Sequence, residues 1–246
     1  MKIIGLTTNA NDGKNSINQA YIKAFTTENT IPMIIPVFSG KSSELFTQND
    51  QDYLNGLVDK LLPMLDGLVL TGGNDVNPTG FDGKFKHSTY TNYNRDAWEW
   101  TLANKFMDAQ KPVVGICRGF QLLGLLNGLE LTQELSYVEK NDEIHNGNSV
   151  ETQYRDEPIH EIDVCGDFKE WLGTDKLRVN SFHHQGFILD ENKSNVDKNE
   201  LEIISKTEKV IEGFRHKTLP MIAFQYHPEE FSNSLTIKYI INKLFI

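Results

Sequence analysis

Cysteine is scarce in this 246-residue chain, with only Cys117 and Cys165 present. Two thiols can build neither a disulfide framework nor a four-thiolate zinc site. The expectation is free thiols in a reducing cytoplasm. Positive charge is also short: Lys and Arg number 24 against 34 Asp and Glu, a net charge of −10. Affinity for nucleic acid rests on cations that neutralise phosphates, so nucleic acid is excluded as a partner and an anionic membrane surface is disfavoured. No apolar run approaches the roughly 20 residues of a membrane span. The run from Lys2 to Leu6 stops at Thr7-Thr8-Asn9, too short for the apolar region of a signal peptide. Gly-x-Gly-x-x-Gly and Gly-x-x-x-x-Gly-Lys-[Ser/Thr] are both missing, which sets aside a nucleotide site at Gly72-Gly73. No linker, repeat or low-complexity block divides the chain, so residues 1–246 read as one domain.

The N-terminal half alternates short apolar runs with amphipathic stretches. Lys2–Thr7, Ile31–Val37, Gly67–Thr71 and Pro112–Ile116 read as strands, with Pro32 and Pro36 marking Ile31–Val37 as an edge. Ser16–Asn29, Asp50–Leu62, Arg95–Gln110 and Arg118–Leu126 read as helices, the first capped by Asn15 or Ser16. Continuous apolar strands alternating with helices predict a parallel sheet covered on both faces. The C-terminal half reads differently. Short strands are expected at Glu130–Leu135, Ser149–Arg155, His160–Val164, Lys176–Phe182, Glu202–Thr207, Val210–Arg215 and Met221–Tyr226, as an antiparallel extension. Asp190–Glu200 reads as a polar loop, and Asn233 or Ser234 as the cap of a last helix ending at Phe245. The stretch from Gly72 to Asn94 has no period. A loop of that length is often functional, and it follows a parallel strand, whose carboxyl end is where open α/β sheets place ligands.

The sharpest chemical signal is Gly115-x-Cys117-x-Gly119, set between an apolar strand and an amphipathic helix. It is the cysteine form of a nucleophile elbow. The flanking glycines leave room for a strained turn, and the helix N-terminus favours a thiolate. The plainer reading is a buried structural cysteine, and for Cys165, which lacks such flanks, that reading holds. A cysteine nucleophile needs a base. His87, His145, His160 and His216 lie in polar contexts and read as solvated surface; His183 and His184 lie in a His-His-Gln run. His227 ends an apolar strand and stands two residues before Glu229, which would offer base and orienting carboxylate together. Alone, His-Pro-Glu reads equally well as a surface turn. Thr71-Gly72-Gly73 could present backbone N–H groups to an oxyanion, together with the N–H of Arg118, though a glycine pair after a strand is otherwise only a turn.

Taken together, residues 115–121 (Gly-Ile-Cys-Arg-Gly-Phe-Gln), 70–78 (Leu-Thr-Gly-Gly-Asn-Asp-Val-Asn-Pro) and 227–229 (His-Pro-Glu) resemble the class I glutamine amidotransferase superfamily. Within it the chain is similar to the gamma-glutamyl-gamma-aminobutyrate hydrolase-like group, through Arg95-Asp96-Ala-Trp-Glu99 and Val179-Asn-Ser-Phe-His-His-Gln185. The likeness runs in order from Ile3 to Glu229. It implies a three-layer, flavodoxin-like α/β fold. It implies a Cys117-His227-Glu229 triad, an oxyanion hole from the N–H groups of Gly73 and Arg118, and a glutamyl site from Gln121 and the His184-Gln185-Gly186-Phe187 turn, largely through backbone atoms. The implied activity is cleavage of γ-glutamyl amides, with γ-glutamyl-γ-aminobutyrate of polyamine catabolism as the group's eponymous substrate. No metal or organic cofactor is implied. The expected partner is a small γ-glutamyl substrate, and a homodimer is an open option. Two other readings stand beside this one: a glutaminase subunit that delivers ammonia to a synthetase, and a catalytically silent binding protein on the same fold. Arg95, Asp96 and Glu99 read either as group hallmarks without an assigned role or as a solvated ion-pair cluster at a helix start.

Overall fold

A computed structural model describes residues 1–11, 13–39, 48–80, 86–88, 90–137, 145 and 154–246. In chain order the strands are β1 (Lys2–Thr7), β2 (Asn9–Asn11), β3 (Lys14–Ser16), β4 (Thr30–Ile35), β5 (Gly67–Leu70), β6 (Val113–Ile116), β7 (Leu131–Thr132), β8 (His160–Val164), β9 (Lys176–Val179), β10 (Gly186–Ile188), β11 (Leu201–Lys206), β12 (Val210–His216) and β13 (Met221–Phe224). The helices are α1 (Gln19–Ala24), α2 (Gln48–Leu61), α3 (Tyr93–Asp108), α4 (Arg118–Leu126), α5 (Gly166–Leu172), α6 (Leu189–Lys198) and α7 (Leu235–Phe245).

One sheet runs in the order β4-β1-β5-β6-β13-β12-β11-β8-β9. From β4 to β13 every pairing is parallel. Those strands follow the spatial order second, first, third, fourth, fifth, which is the flavodoxin-like arrangement. From β13 outward every pairing is antiparallel, and β10 and β7 branch from β12. The strand residues divide by parity. Val69, Val114, Ile116, Ile222 and Phe224 pack with Tyr21, Phe25, Phe168, Ile237 and Ile240 of α1, α5 and α7 or their ends. Leu68, Leu70, Val113, Met221 and Ala223 pack with Leu54, Trp98, Phe106, Phe120 and Leu123 of α2, α3 and α4. The protein is therefore a three-layer α/β structure with helices on both faces of the sheet and an antiparallel extension. β4 lies at an edge, where Pro32 costs no ladder hydrogen bond. Among the described residues no helix is long and apolar enough to cross a membrane.

Several expectations are corrected. The Ser16–Asn29 helix shrinks to α1, because residues up to Ser16 form the β2–β3 hairpin and Asn18, not Asn15 or Ser16, caps the helix by accepting from the Ala20 N–H. Asp190–Glu200 is not a loop: α6 spans most of it. Its buried stripe holds Val196 and Asn192, whose side chain bonds the backbone of Glu130 and Ile188, so one of the two inward positions looked polar in the sequence. Helix α5, anchored by Phe168, and the short strand β10 were not read at all. Glu130–Leu135 contributes a strand only at Leu131–Thr132. Of the strand expected over Ser149–Arg155, residues 149–153 lie outside the described residues, and Tyr154–Arg155 are not strand. Ser234 caps α7 by accepting from the Ile237 N–H.

Candidate active site

Strand β6 ends at Ile116, and Cys117 then adopts φ 54°, ψ −105° before α4 begins at Arg118. Left-handed backbone is costly for a residue with a Cβ and persists only when its surroundings enforce it. Here they do. The Cys117 N–H donates to the Phe224 carbonyl at 2.8 Å, and the Gln121 N–H returns to the Cys117 carbonyl at 3.0 Å. The glycines on either side permit the turn. A Cβ on Gly115 would stand 2.6 Å from the Gly119 carbonyl oxygen, and one on Gly119 would overlap the Leu70 carbonyl. The thiol sits at the first turn of α4, buried but for a small exposed fraction.

His227 follows β13, the strand beside β6. Its backbone is held on both sides by Asn180: the His227 N–H donates to Oδ1 and its carbonyl accepts from Nδ2, each at 3.0 Å. Its Nδ1–H donates to Glu229 Oε1 at 2.7 Å. The imidazole and the cysteine converge on one point. A Cβ added to Gly72 would lie 2.9 Å from His227 Cε1 and 3.5 Å from Cys117 Cβ. Burial disfavours the charged ring, but the Glu229 carboxylate and the Cys117 sulfur outweigh it and push His227 up to about 10. An imidazolium opposite a sulfur suits a thiolate nucleophile. His227 and Glu229 line a cavity of about 200 Å³ together with Tyr21, Gly72, Gly73 and Arg155 among others. The Tyr21 hydroxyl accepts from the Gly72 N–H at 2.8 Å. Tyr21 had no signal in the sequence beyond an apolar helical position. Asn180 sat unremarked within the Val179–Gln185 run.

The Gly72–Gly73 turn is carried by α3. The Arg95 guanidinium donates to the carbonyls of Thr71 (3.0 Å) and Gly72 (2.9 Å) and to Asn9 Oδ1 (2.9 Å). Its Nε donates to Glu99 Oε1 at 2.9 Å. The other Glu99 oxygen accepts from Arg118, which also bonds Asp96, and Asp96 takes the Asn77 N–H. Arg95, Glu99 and Arg118 are each 1% exposed or less, so the solvated-cluster reading fails. Burial would neutralise Glu99, yet Arg118 and Arg95 hold its carboxyl below the usual range. The chain of charges ties the glycine turn to the first residue of the elbow helix. Neither the Gly73 nor the Arg118 N–H has a protein acceptor among the described residues.

The remaining expected residues divide. Gln121 lies one turn along α4 from Cys117, and its Nε2 donates to the Gln185 carbonyl and Gln225 Oε1, each at 3.3 Å. Gln185 is buried and donates to Ser88 Oγ at 2.8 Å. Gly186 and Phe187 lie in β10, and the Phe187 ring packs in the core against Phe120 and Gly124, leaving only backbone for a ligand. The surface reading fails for three histidines: His145, His160 and His216 are all buried.

His184 bridges Asp75 and Glu134, one nitrogen to each at 3.1 Å. Asp75 chiefly, with Glu134 and against partial burial, raises its pKa from 6.5 to about 8. A raised imidazole pKa stabilises fully below the ordinary value and ceases to do so as pH rises through the folded one. Wild-type protein should therefore lose about 1–2 kcal/mol relative to His184→Gln between about pH 6 and pH 9. Denaturant melts at both pH values would measure this, and an equal gap at the two would dismiss the charged bridge.

Known proteins resemble this chain in sequence and fold. Residues 2–229 match the family described as Peptidase C26. A glutamine amidotransferase-like protein of Lactococcus lactis subsp. lactis is 31% identical over 86% of this chain and 79% of its own length. The carbamoyl phosphate synthase small chain of Desulfovibrio desulfuricans is 31% identical over 54% of this chain and 28% of its own. Among solved structures, a glutamine amidotransferase from Thermotoga maritima superposes with a TM-score of 0.54 at 17% identity, covering 99% of this chain and 84% of that one. The chain belongs to the Peptidase C26 family, among the class I glutamine amidotransferase-like proteins, a family of enzymes that act on amide bonds.

Proposed function

We propose that the protein hydrolyses γ-glutamyl amides, with Cys117 as nucleophile, His227 as acid and base, and Glu229 orienting the imidazole. The observation that carries this reading is the convergence of Cys117 and His227 on Gly72, with Glu229 on the far ring nitrogen. The Cys117 thiolate attacks the γ-carbonyl carbon, and the carbonyl π electrons move to oxygen. The N–H groups of Gly73 and Arg118 stabilise that oxyanion. As the tetrahedral intermediate collapses, the C–N bond breaks and His227 gives its Nε2 proton to the departing amine. A γ-glutamyl thioester remains. Neutral His227 then takes a proton from water, hydroxide adds to the thioester carbon, and glutamate leaves as the thiolate re-forms. No step calls for a metal or organic cofactor. The partner is a small γ-glutamyl substrate, with γ-glutamyl-γ-aminobutyrate the first to try. Gln121 and the 184–187 turn are proposed to hold its glutamyl half.

The likeness to a carbamoyl phosphate synthase small chain favours a second reading, a glutaminase that passes ammonia to a partner. A screen of purified protein against γ-glutamyl amides and glutamine separates the two. Turnover of several γ-glutamyl amides without a partner supports the hydrolase. Turnover of glutamine alone, slow until a cognate synthetase is added, would overturn it.

A further inference from the structure

A second cluster of reactive side chains lies in the antiparallel extension. His160 opens β8, Glu212 is central in β12, and His183 stands in the turn after β9, with His145 against them. All four are buried, and Glu212 is wholly inaccessible. Three imidazole nitrogens surround a single carboxylate oxygen: Glu212 Oε1 lies 3.3 Å from His145 Nδ1, 3.5 Å from His160 Nε2 and 4.0 Å from His183 Nε2. Nevertheless, among the described residues no well-formed hydrogen bond satisfies either Glu212 oxygen, either nitrogen of His160 or Nε2 of His183. Buried polar groups are almost always satisfied, and a buried carboxylate without partners is more costly than a neutral group.

The His183 tautomer sharpens the problem. Its Nδ1 lies 2.9 Å from the Gln185 carbonyl, which can only accept, so Nδ1 carries the hydrogen. In a neutral imidazole the other ring nitrogen is then the acceptor. Nε2 of His183 thus presents a lone pair to a carboxylate oxygen. Two lone pairs facing one another in a dry interior call for a cation between them.

We propose that His145, His160, His183 and Glu212 form a binding site for one tetrahedral zinc-class divalent cation. Zinc bonds to nitrogen and oxygen of about 2.0–2.2 Å, arranged tetrahedrally, set neighbouring donors about 3.3–3.5 Å apart. The contacts of His145 and His160 with Glu212 already have that spacing, and the donor atoms of those three residues all lie within 4.8 Å of one another. His183 would approach by a few tenths of an ångström. Three imidazoles and one carboxylate suit zinc, cobalt or nickel rather than magnesium or calcium, which take oxygen ligands. The Nδ1–H of His183 on the Gln185 carbonyl is the outer hydrogen bond that orients a metal-bound imidazole. Four protein ligands and full burial leave no open position, so the ion is structural. It would clamp β8 to β12 and fix the turn that precedes the substrate wall. Asn180, three residues before His183, grips the backbone of His227, and the Gln185 carbonyl that orients His183 also takes the Gln121 amide.

The test is metal analysis of tag-free wild-type protein, incubated with zinc sulfate and desalted. About one zinc per chain is expected. Stripping with a strong chelator should lower the melting temperature by roughly 5 °C or more, and zinc should restore it. Cobalt-loaded protein should show the intense visible bands of a tetrahedral centre. Glu212→Gln and His160→Ala should lose the ion, and Cys117→Ala should keep it. Folded wild-type protein that retains less than about a tenth of an ion per chain, with the same melting temperature in zinc and in chelator, would overturn the site and leave a cluster neutralised by protons alone. These readouts do not involve amide hydrolysis, so they stand or fall apart from the catalytic reading.

Discussion

Cys117→Ala should reduce γ-glutamyl amide hydrolysis by roughly 10⁴-fold or more, with no rescue by higher substrate concentration. The step removed is formation of the thioester, and neither His227 nor the backbone N–H groups can form that bond. The fold should tolerate the change. The side chain is small, and the elbow is held by backbone bonds to Phe224 and Gln121 and by the fit of Gly115 and Gly119. A loss of about 1 kcal/mol is expected, readable as a small drop in melting temperature. The same variant should resist alkylation by a glutamine-analogue electrophile that labels the wild type. Retained turnover in Cys117→Ala would remove the sulfur from the mechanism. A wild type that takes the label but hydrolyses nothing would point to the silent binding protein.

Glu99→Ala should cost about 3–5 kcal/mol of stability, because Arg95 and Arg118 are then left buried with part of their charge uncompensated. It should also lower kcat/KM by more than the loss of folded protein explains, since Arg95 anchors the turn that carries Gly73 and Arg118 opens the elbow helix. Glu99→Gln keeps the shape and tests the charge. A pH signature accompanies it. The depressed carboxyl pKa of Glu99 contributes stability above its ordinary value of 4.5, and that contribution fades as pH falls through the lower folded value. The variant should therefore lose less than the wild type on acidification, as followed by denaturant melts across that window. If Glu99→Ala is as stable and as active as the wild type, the buried charges are passengers.

Much of the parallel half was readable because its strands are buried on both faces. Gly-Leu-Val-Leu and Val-Val-Gly-Ile can hardly be anything else once helices flank them. The elbow was readable for a local reason: two glycines around one cysteine describe a backbone shape without reference to distant residues. Distant partnership was harder. Arg95 and Glu99 sit at helical spacing and look like any solvated pair; only the fold brings Arg118 and the Thr71–Gly72 carbonyls to them. His160 shares a strand face with Ile162 and Val164, so alternation already turns it inward; only the charged Glu161 and Asp163 on the opposite face suggest a solvated context. Helix α6 escaped because Asn192, an inward residue, is polar and spends its amide on backbone groups.

The grip of Arg95 on the Gly72 carbonyl has a consequence for the following amide. A trans peptide unit is flat, and its oxygen and hydrogen point in opposite directions. With the oxygen captured by the guanidinium at 2.9 Å, the Gly73 hydrogen is turned away from Arg95, and rotation of that plane would break a charge-assisted hydrogen bond. A flip of that peptide is therefore opposed by Arg95 before any ligand arrives.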